Sequence, residues 1–210
     1  SLIARYILDG DSKDWSRNNW QATIQGEDFA FVEDEQFGKV LSFPEGSQSY
    51  LSIPGYSVIG EESLSICGWI YLRSDQPEQH FFDLGTEGQS HFRAAPMGII
   101  GQIGYLGQIQ HEDDQFIASA ATVPAYRWNH LAVVMNLPAQ TLSIYLNGQL
   151  MKETGEVALE FSDFMDPSGD NNQLFIGKSI VGNTGHLNAK LHDLRVYRIP
   201  LSASQVLRIH

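Results

Sequence analysis

The sequence contains little cysteine and no long apolar run. Cys67 is the single cysteine among 210 residues, so no intrachain disulfide can form, and within the apolar segment 63–72 (SLSICGWIYL) we expect a small buried side chain. No segment approaches the ~18 uninterrupted apolar residues of a membrane-spanning helix, so we expect no membrane insertion. Charged residues make up only 18% and aromatic residues 11%, a composition typical of a folded globular chain.

Basic residues are also scarce. Lys and Arg number 13 against 25 Asp and Glu, which gives a formal net charge of −12 and an isoelectric point near 4.8. Binding to the phosphates of nucleic acids requires basic clusters, so we expect no nucleic-acid partner. The charge balance instead favours a neutral ligand such as a sugar, or a cation.

Sustained helical periodicity is nearly absent, whereas alternation of apolar and polar residues recurs throughout the chain. Many short strands with almost no helix are typical of a β-sandwich or jelly roll. No linker and no internal repeat is visible, so we predict one domain over residues 1–210. The predicted strands are 3–8, 39–43, 49–53, 63–72, 80–84, 98–103, 105–111, 130–136, 141–146, 174–177 and 190–199.

Two local motifs are specific enough to predict their own structure. Asn147-Gly148 lies between SIYL and QLM, and because both residues tolerate a positive φ, a two-residue hairpin turn is expected there. At the end of the chain, Ser202 and Gln205 have the spacing of a capping box, with Leu201 and Val206 as its hydrophobic staple. This pattern predicts a short C-terminal helix.

Eight short segments, in this order, resemble the motifs of laminin-G-like domains of the concanavalin A-like lectin and glucanase type. Each motif is weak alone, but together they extend over nearly the whole chain. Arg17 and Asn19 depart from the family, which usually has glycine there, and residues 88–115 match no motif. The matching segments are 6–10 with 14–16 (YILDG, DWS), 37–43 (FGKVLSF), 50–54 (YLSIP), 65–70 (SICGWI), 128–133 (WNHLAV), 142–148 (LSIYLNG), 174–177 (LFIG) and 193–203 (DLRVYRIPLSA).

The resemblance implies an all-β fold, in which two antiparallel sheets form a concanavalin A-like jelly roll that ends in the short helix. It also implies a bacterial protein that is secreted, periplasmic or exposed on the cell surface. Domains of this family are commonly attached to glycoside hydrolases or surface proteins. We therefore expect an oligosaccharide or polysaccharide as partner, and an adjacent catalytic domain is a further expectation.

Three aspartates are candidates for a structural calcium site. Asp9 ends the first predicted strand, Asp14 follows in the next loop, and the resemblance places the strand that contains Asp193 beside the first strand. Calcium prefers several oxygen ligands, and two carboxylates on neighbouring strands repel each other unless a cation or an arginine lies between them. In the alternative, Asp9 and Asp14 are turn residues that accept backbone N–H bonds, and Asp193 pairs with Arg195 or Lys190.

Two groups of residues are candidates for sugar binding, which uses aromatic rings framed by polar side chains. Trp15 and Trp20 lie in the loop after the first strand, whereas Trp69 and Trp128 lie in strand centres and are expected in the core. The second group would line a groove if its sheet face is concave, and would otherwise be solvated surface. Its members are His91, Phe92, Arg93, Tyr105, Gln108, Gln110 and His111.

Signatures of catalysis are missing. Laminarinase-type glucanases place their carboxylates on one strand as E-x-D-x-x-E, and the clusters at 33–35 and 112–114 do not have that spacing. No G-x-S-x-G occurs, and the glycine-rich segment 98–107 precedes no helix that could receive a phosphate. We therefore interpret the chain as a non-catalytic carbohydrate-binding or accessory module. The alternatives are a protein-interaction or adhesion module of a cell-surface protein and, more weakly, a laminarinase-type glycosidase.

Overall fold

The computed structural model describes residues 1–86, 90–169 and 171–210. Residues 88 and 89, which begin the segment without a family motif, lie outside these ranges. The helical elements in these ranges are two 3₁₀ helices, Gly55–Val58 and Phe161–Asp163, and the helix α1, Ala203–Ile209. In chain order the strands are β1 (Leu2–Tyr6), β2 (Thr23–Gln25), β3 (Ala30–Asp34), β4 (Gly38–Phe43), β5 (Tyr50–Pro54), β6 (Ser63–Leu72), β7 (Phe82–Thr86), β8 (His91–Ala95), β9 (Tyr105–His111), β10 (Asp114–Ala120), β11 (Trp128–Asn136), β12 (Thr141–Leu146), β13 (Gln149–Thr154), β14 (Asn172–Ile176) and β15 (Ala189–Tyr197).

These strands form two antiparallel sheets that pack face to face. The eight-stranded sheet has the order β13-β12-β11-β6-β15-β4-β3, and β1 pairs with β15 beside that path. The seven-stranded sheet has the order β10-β9-β8-β7-β14-β5-β2. The predicted all-β jelly roll with one short C-terminal helix is therefore confirmed.

The core lies between the sheets and follows the alternation of the sequence. In β6, Leu64, Ile66, Ile70 and Leu72 share one face of the strand and are all buried in one cluster. The sheets approach closely at Gly107 in β9, where an added Cβ would lie only 2.9 Å from a methyl carbon of Ile144 on the opposite sheet. A side chain at this position would force the two layers apart.

The first and last strands are neighbours, as predicted. Tyr6 lies opposite Leu194 and Leu2 opposite Tyr197, so β1 follows the second half of β15. The first half of β15 pairs with β4 instead. Between these halves the register shifts at a bulge, where Asp193 has a φ of +52°. One long strand thus connects β1 and β4 to the centre of the sheet.

The two local motifs have the predicted structures. Asn147 and Gly148 have φ values of +50° and +80° and join β12 to β13. Ser202 caps α1 by accepting from the N–H of Gln205, and the Gln205 side chain accepts from the N–H of Ser202. The helix covers the outer side of the eight-stranded sheet, where Cys67 is buried. Burial raises the pKa of its thiol to about 12, which makes it an inert packing residue.

The predicted strand 98–103 is wrong. Residues 98–104 form a tight turn in which Ile99 and Gln102 exchange two backbone hydrogen bonds, and Gly98, Gly101 and Gly104 all have positive φ values. The glycines favour this turn because positive φ costs them little. Conversely, β2, β3, β8 and β10 were not predicted, because their polar and aromatic residues obscure the apolar alternation.

Candidate binding site

The outer side of the seven-stranded sheet, which we call the polar face, places two rows of side chains across its strands. Its residues alternate with core residues such as Leu84 and Phe92, so they point away from the core. Residues directly opposite one another on neighbouring strands are close enough to interact. The first row is Ser52, Phe175, Asp83, Arg93, Gln108 and Ile117, and the second is Gln173, Gly85, His91, Gln110 and Gln115.

Asp83 is the charged centre of the polar face. It is fully buried, and one of its oxygens accepts from the N–H of Ile180 (3.0 Å) and the hydroxyl of Ser179 (3.2 Å). The Nδ1 of His91 lies 3.0 and 3.3 Å from the two carboxylate oxygens. Burial alone would raise the pKa of Asp83, but the hydrogen bonds from His91 and Ile180 and the nearby His80 hold this pKa below its ordinary value.

The pairing with Asp83 fixes the chemistry of His91. A carboxylate only accepts hydrogen bonds, so the proton of the ring must be on Nδ1. The Nε2 of His91 is then the acceptor in the neutral ring and is the nitrogen left for a ligand. A buried carboxylate that orients a histidine in this way holds the ring in one position.

Arg93 is the second fixed group of the polar face. Its Nε donates to the side-chain oxygen of Gln108 (2.7 Å), and its Nη1 donates to Nε2 of His80 (3.3 Å). The Nδ1 of His80 in turn donates to the carbonyl of Glu78 (3.0 Å). None of the ion pairs found in the described parts of the chain includes Arg93, so its remaining N–H groups are not taken by a carboxylate.

A cavity of about 300 Å³ opens above these groups. The loop between β14 and β15 forms one wall, held by the bond from the N–H of His80 to the carbonyl of Gly185 (3.0 Å). Donors and acceptors are mixed on its surface, which suits the hydroxyl groups of a sugar. This polar pocket is lined by Glu78, His80, His91, Arg93, Gln110, Ser179, Val181 and Thr184.

A larger cleft of about 480 Å³ lies at one end of the sandwich. Its walls include the apolar residues Ile59, Leu137, Leu159 and Phe161, and its polar residues are Glu62, Glu160 and Ser162. Size alone would favour this cleft, but a binding site requires convergent polar groups that fix the ligand. The polar pocket meets that requirement, and we therefore take it as the candidate site.

The structure places some residues of the second predicted sugar-binding group on the polar face and others on the opposite side of the strand. Gln108 lies on the polar face together with Gln110, beside Arg93. The prediction for Tyr105 is wrong, because its side chain is fully buried between the sheets and its hydroxyl donates to the carbonyls of Ala132 (2.9 Å) and Tyr145 (3.1 Å). Odd- and even-numbered residues of a strand point to opposite sides, so Tyr105 cannot share a face with Gln108.

His111 has the same parity as Tyr105 and lies at the end of β9. It is half-buried, and its Nδ1 is 3.2 Å from the hydroxyl of Ser90. It does not line the polar pocket.

Trp15 and Trp20 lie in the loop after β1, as predicted, but outside the polar pocket. Trp15 is 49% exposed, and Lys13 places its ammonium 3.9 Å above the ring. Trp20 packs against the core, and its carbonyl accepts from the hydroxyl of Tyr6. Trp15 thus offers a ring surface to solvent, whereas Trp20 mainly closes one end of the sandwich. Sugar contact by either residue stays a prediction.

The expectation that Trp69 and Trp128 belong to the core is wrong. Both lie half-buried on the outer side of the eight-stranded sheet, where Phe37 packs against them at ring distances of 5.2 and 4.9 Å. The indole N–H of Trp128 donates to Asp34, which also pairs with Lys190 at 2.7 Å. The turn between β3 and β4 therefore covers these rings, and they form a small outer cluster.

The three aspartates of the calcium prediction have different surroundings. Asp14 accepts from the backbone N–H groups of Arg5, Ser16 and Trp20 at 2.8–3.0 Å. These bonds hold the pKa of Asp14 below its ordinary value, although burial would raise it. Asp9 is exposed at the end of the first segment.

Asp193 is held between two guanidinium groups. Arg5 and Arg195 each approach it at 2.8 Å, and although burial opposes ionisation, these bonds lower the pKa of Asp193 to about 2. Across the described ranges, no group of three or more His, Cys, Asp or Glu side chains is arranged to hold a metal. As arranged, Asp9, Asp14 and Asp193 do not fit one shared calcium ion, and calcium here stays a prediction.

Sequence reasoning did not find His80, Asp83 or Glu78. Asp83 could have been noticed, because it is a single aspartate within the apolar segment 81–84 (FFDL). A charged side chain among apolar residues of a strand is costly unless it has partners. His80 and Glu78 precede that strand in a polar segment. Their role depends on the loop between β14 and β15, which no local pattern connects to them.

Comparison with known families and structures agrees with this fold. The family model described as the concanavalin A-like lectin/glucanases superfamily, Laminin_G_3, matches residues 45–207. No curated protein matches the chain. Within the described residues, no helix is both long and apolar enough to cross a membrane.

Several solved structures share the fold at low sequence identity. Domain 4 of AbnA, a GH43 extracellular arabinanase from Geobacillus stearothermophilus, solved in complex with arabinotriose, is 20% identical, with a TM-score of 0.80 over 100% of this chain and 98% of that one. The binding domain of Paraclostridial Mosquitocidal Protein 1 is 14% identical, with a TM-score of 0.71 over 99% of this chain and 51% of that one. The botulinum neurotoxin serotype C1 binding domain is 16% identical, with a TM-score of 0.68 over 97% and 51%.

Proposed function

Since this chain belongs to the concanavalin A-like lectin/glucanase superfamily, we propose that it is a non-catalytic module that binds an oligosaccharide in the polar pocket. The observation that carries the proposal is the pair of fixed groups at its floor, His91 held by Asp83 and Arg93 held by Gln108 and His80. Together they offer donors and acceptors whose positions are set before a ligand arrives, which reduces the entropy cost of binding. The arabinotriose complex of the similar arabinanase domain supports a sugar as ligand.

The direct test is isothermal titration calorimetry with a panel of oligosaccharides that includes arabinotriose. We expect saturable binding, and we expect Arg93→Met to weaken it at least tenfold, because methionine keeps the apolar length of the side chain but removes its donors. Arg208→Met is the matched control, since Arg208 is exposed on α1, which covers the other sheet. Equal affinities for Arg93→Met and the unchanged protein would remove the polar pocket from the proposal.

A protein-interaction or adhesion role is the alternative for the same fold. It is favoured if the folded protein binds no member of the panel. Hydrolysis of any panel glycan that a single Asp or Glu substitution abolishes would instead revive the weaker glycosidase interpretation.

We further propose that the module acts outside the cytoplasm, secreted, periplasmic or on a bacterial cell surface, beside a catalytic domain in the parent protein. One support is that the arabinanase neighbour is a single domain of an extracellular enzyme. The other is that a non-catalytic sugar site can hold an attached enzyme on its substrate. Sequencing the parent gene on both sides of this segment tests both points.

Structural calcium remains a separate proposal, based on the family resemblance alone. If calcium is bound, EDTA lowers the melting temperature and the effect disappears in Asp9→Ala. An unchanged melting curve in EDTA discards the ion.

A further inference from the structure

A glycine-rich loop beside the polar pocket displays two isoleucines. In the loop between β8 and β9, Ile100 and Ile103 are 85% and 80% exposed. Single exposed apolar side chains are common on proteins. Two isoleucines with this exposure on one short loop do not contribute to the core. Neighbouring exposed apolar side chains often mark an interaction site.

The backbone of the loop is fixed by its own hydrogen bonds. The N–H of Ile99 donates to the carbonyl of Gln102 (3.0 Å), and the reverse bond measures 2.9 Å. Gly98 and Gly101 both have φ values of +84°, which glycine adopts at little cost. The tight turn therefore projects Ile100 and Ile103 outward.

Glu78 connects this turn to the polar pocket. Its N–H donates to the carbonyl of Gly98 (2.8 Å), and its carboxylate accepts from the N–H of Ile100. Glu78 also lines the pocket, as does Val181, which is 46% exposed. Val181 thus borders the polar pocket directly, whereas the loop with Ile100 and Ile103 is joined to the pocket through Glu78.

The loop also carries no charge. Residues 94–111 contain no Asp, Glu, Lys or Arg, and the Glu78 carboxylate that touches the loop is already bound to the N–H of Ile100, so an apolar group packed there covers no charged side chain of the loop itself. A charged substituent would find no partner on this loop. The chemistry favours a ligand whose sugar part and apolar part are adjacent.

Building on the proposed carbohydrate binding, we propose that the protein binds glycosides that carry an apolar aglycone. The sugar hydroxyls contact Arg93 and His91 in the polar pocket, and the aglycone packs on Ile100 and Ile103. Affinity for the aglycone comes from burial of apolar surface, whereas affinity for the sugar comes from the fixed polar groups.

The test compares each free oligosaccharide of the panel, arabinotriose included, with its octyl glycoside below the micelle concentration. We expect the unchanged protein to bind the octyl glycoside about tenfold more tightly. The double variant Ile100→Ser/Ile103→Ser should bind both forms equally, at the affinity of the unchanged protein for the free sugar. Leu207→Ser, at a residue of α1 that is 54% exposed, is the matched control and should keep the preference.

The outcomes separate this proposal from the function on which it depends. Free sugar that binds with no gain from the octyl group, or a gain that survives in the double variant, overturns the aglycone site and leaves sugar binding intact. If no free sugar and no glycoside binds, the proposed function fails, and this proposal fails with it. Sugar-independent binding to phosphatidylcholine vesicles that the double variant loses would make the loop a membrane-docking surface and overturn the proposal.

Discussion

His80 is almost completely buried, and both of its ring nitrogens have partners: Nδ1 donates to the carbonyl of Glu78, and Nε2 accepts from Arg93. Asp83 and His91 are the other titratable groups that act on it. Burial lowers the pKa of His80, and the charge of Arg93 lowers it further, although Asp83 opposes them. The ring is therefore neutral near pH 7 and acts as an acceptor that holds the guanidinium in place.

This arrangement predicts a pH dependence of glycan affinity. Because its pKa lies below the ordinary 6.5, His80 stays neutral above that pH and takes up a proton only below it. A protonated Nε2 cannot accept from Arg93, so we expect constant affinity above about pH 6.5 and a severalfold loss once the pH falls far enough below it to protonate the ring. Calorimetry at pH values above and below that point measures it.

His80→Gln is the control, because its amide oxygen can accept from Arg93 at every pH. We expect the acid loss to shrink in this variant. A loss of the same size would show that His80 is not its cause.

At the scale of single residues, the sequence predicted polar groups on β9 but not their complete set. Gln108 and Gln110 follow the alternation and lie on the polar face, while Tyr105 fails because its parity places it in the core. His80 and Asp83 come together through a loop that is about a hundred residues away in the chain. Local patterns cannot predict contacts of that kind.

At the scale of elements, Asp193 joins the first and last strands. Its carboxylate lies at the bulge of β15 and pairs with Arg5 of β1 and Arg195 of β15 itself. The sequence correctly predicted that β1 and β15 are adjacent and kept Arg195 as an alternative partner of Asp193. It did not predict Arg5 as the second partner, because that contact depends on the register between the two strands.

Asp193→Ala therefore has a predictable cost. It leaves two partly buried guanidinium groups without their shared partner, and we expect a loss of about 1–3 kcal/mol in the free energy of unfolding. The loss should be the same with EDTA and with added calcium. Urea denaturation measures it, and Asp9→Ala, at an exposed carboxylate, should change little. A loss that appears only when calcium is present would favour the ion over the arginine pair.

At the scale of the whole molecule, burial acts on many titratable groups in the same direction. It lowers the pKa of His130 to about 3, helped by the charges of His210 and Arg195. The pKa values of His80, His186 and His192 are lowered as well, with burial as the largest cause. Below about pH 6.5 the folded protein thus binds fewer protons than the unfolded chain, so its stability rises with pH.

The lowered pKa values of Asp83 and Asp193 also make the stability of the fold rise with pH. These two carboxylates stabilise the fold fully above their unfolded-state pKa, and that contribution is lost as the pH falls from there through their lower folded-state pKa. Acid therefore acts first on the histidines and then on the carboxylates.

We accordingly expect the melting temperature to fall steadily from about pH 7 to about pH 4. Scanning calorimetry at several pH values measures the slope. His130→Phe should reduce it, because the Nδ1 of His130 has no hydrogen-bond partner among the described residues and an uncharged ring can take its place. A melting temperature that is constant over this range would contradict the assignment.

The fold was more predictable than the site. Alternation, the turn at Asn147-Gly148 and the order of the family motifs each depend on residues close in sequence, and together they define the two sheets. The polar pocket depends on how distant loops meet above the sheet. Its position follows from the fold, but its residues do not.

The central position of β15 has a consequence for biosynthesis. This strand lies between β6 and β4, yet it is synthesised after the fourteen other strands that the structure describes. Until it emerges, β6 has an unpaired edge and β1 lacks its partner. The nascent chain therefore exposes unpaired strand edges, which favour aggregation. Closure of the sheet must wait for contacts between β1 and β15, which are far apart in sequence, and such contacts slow folding.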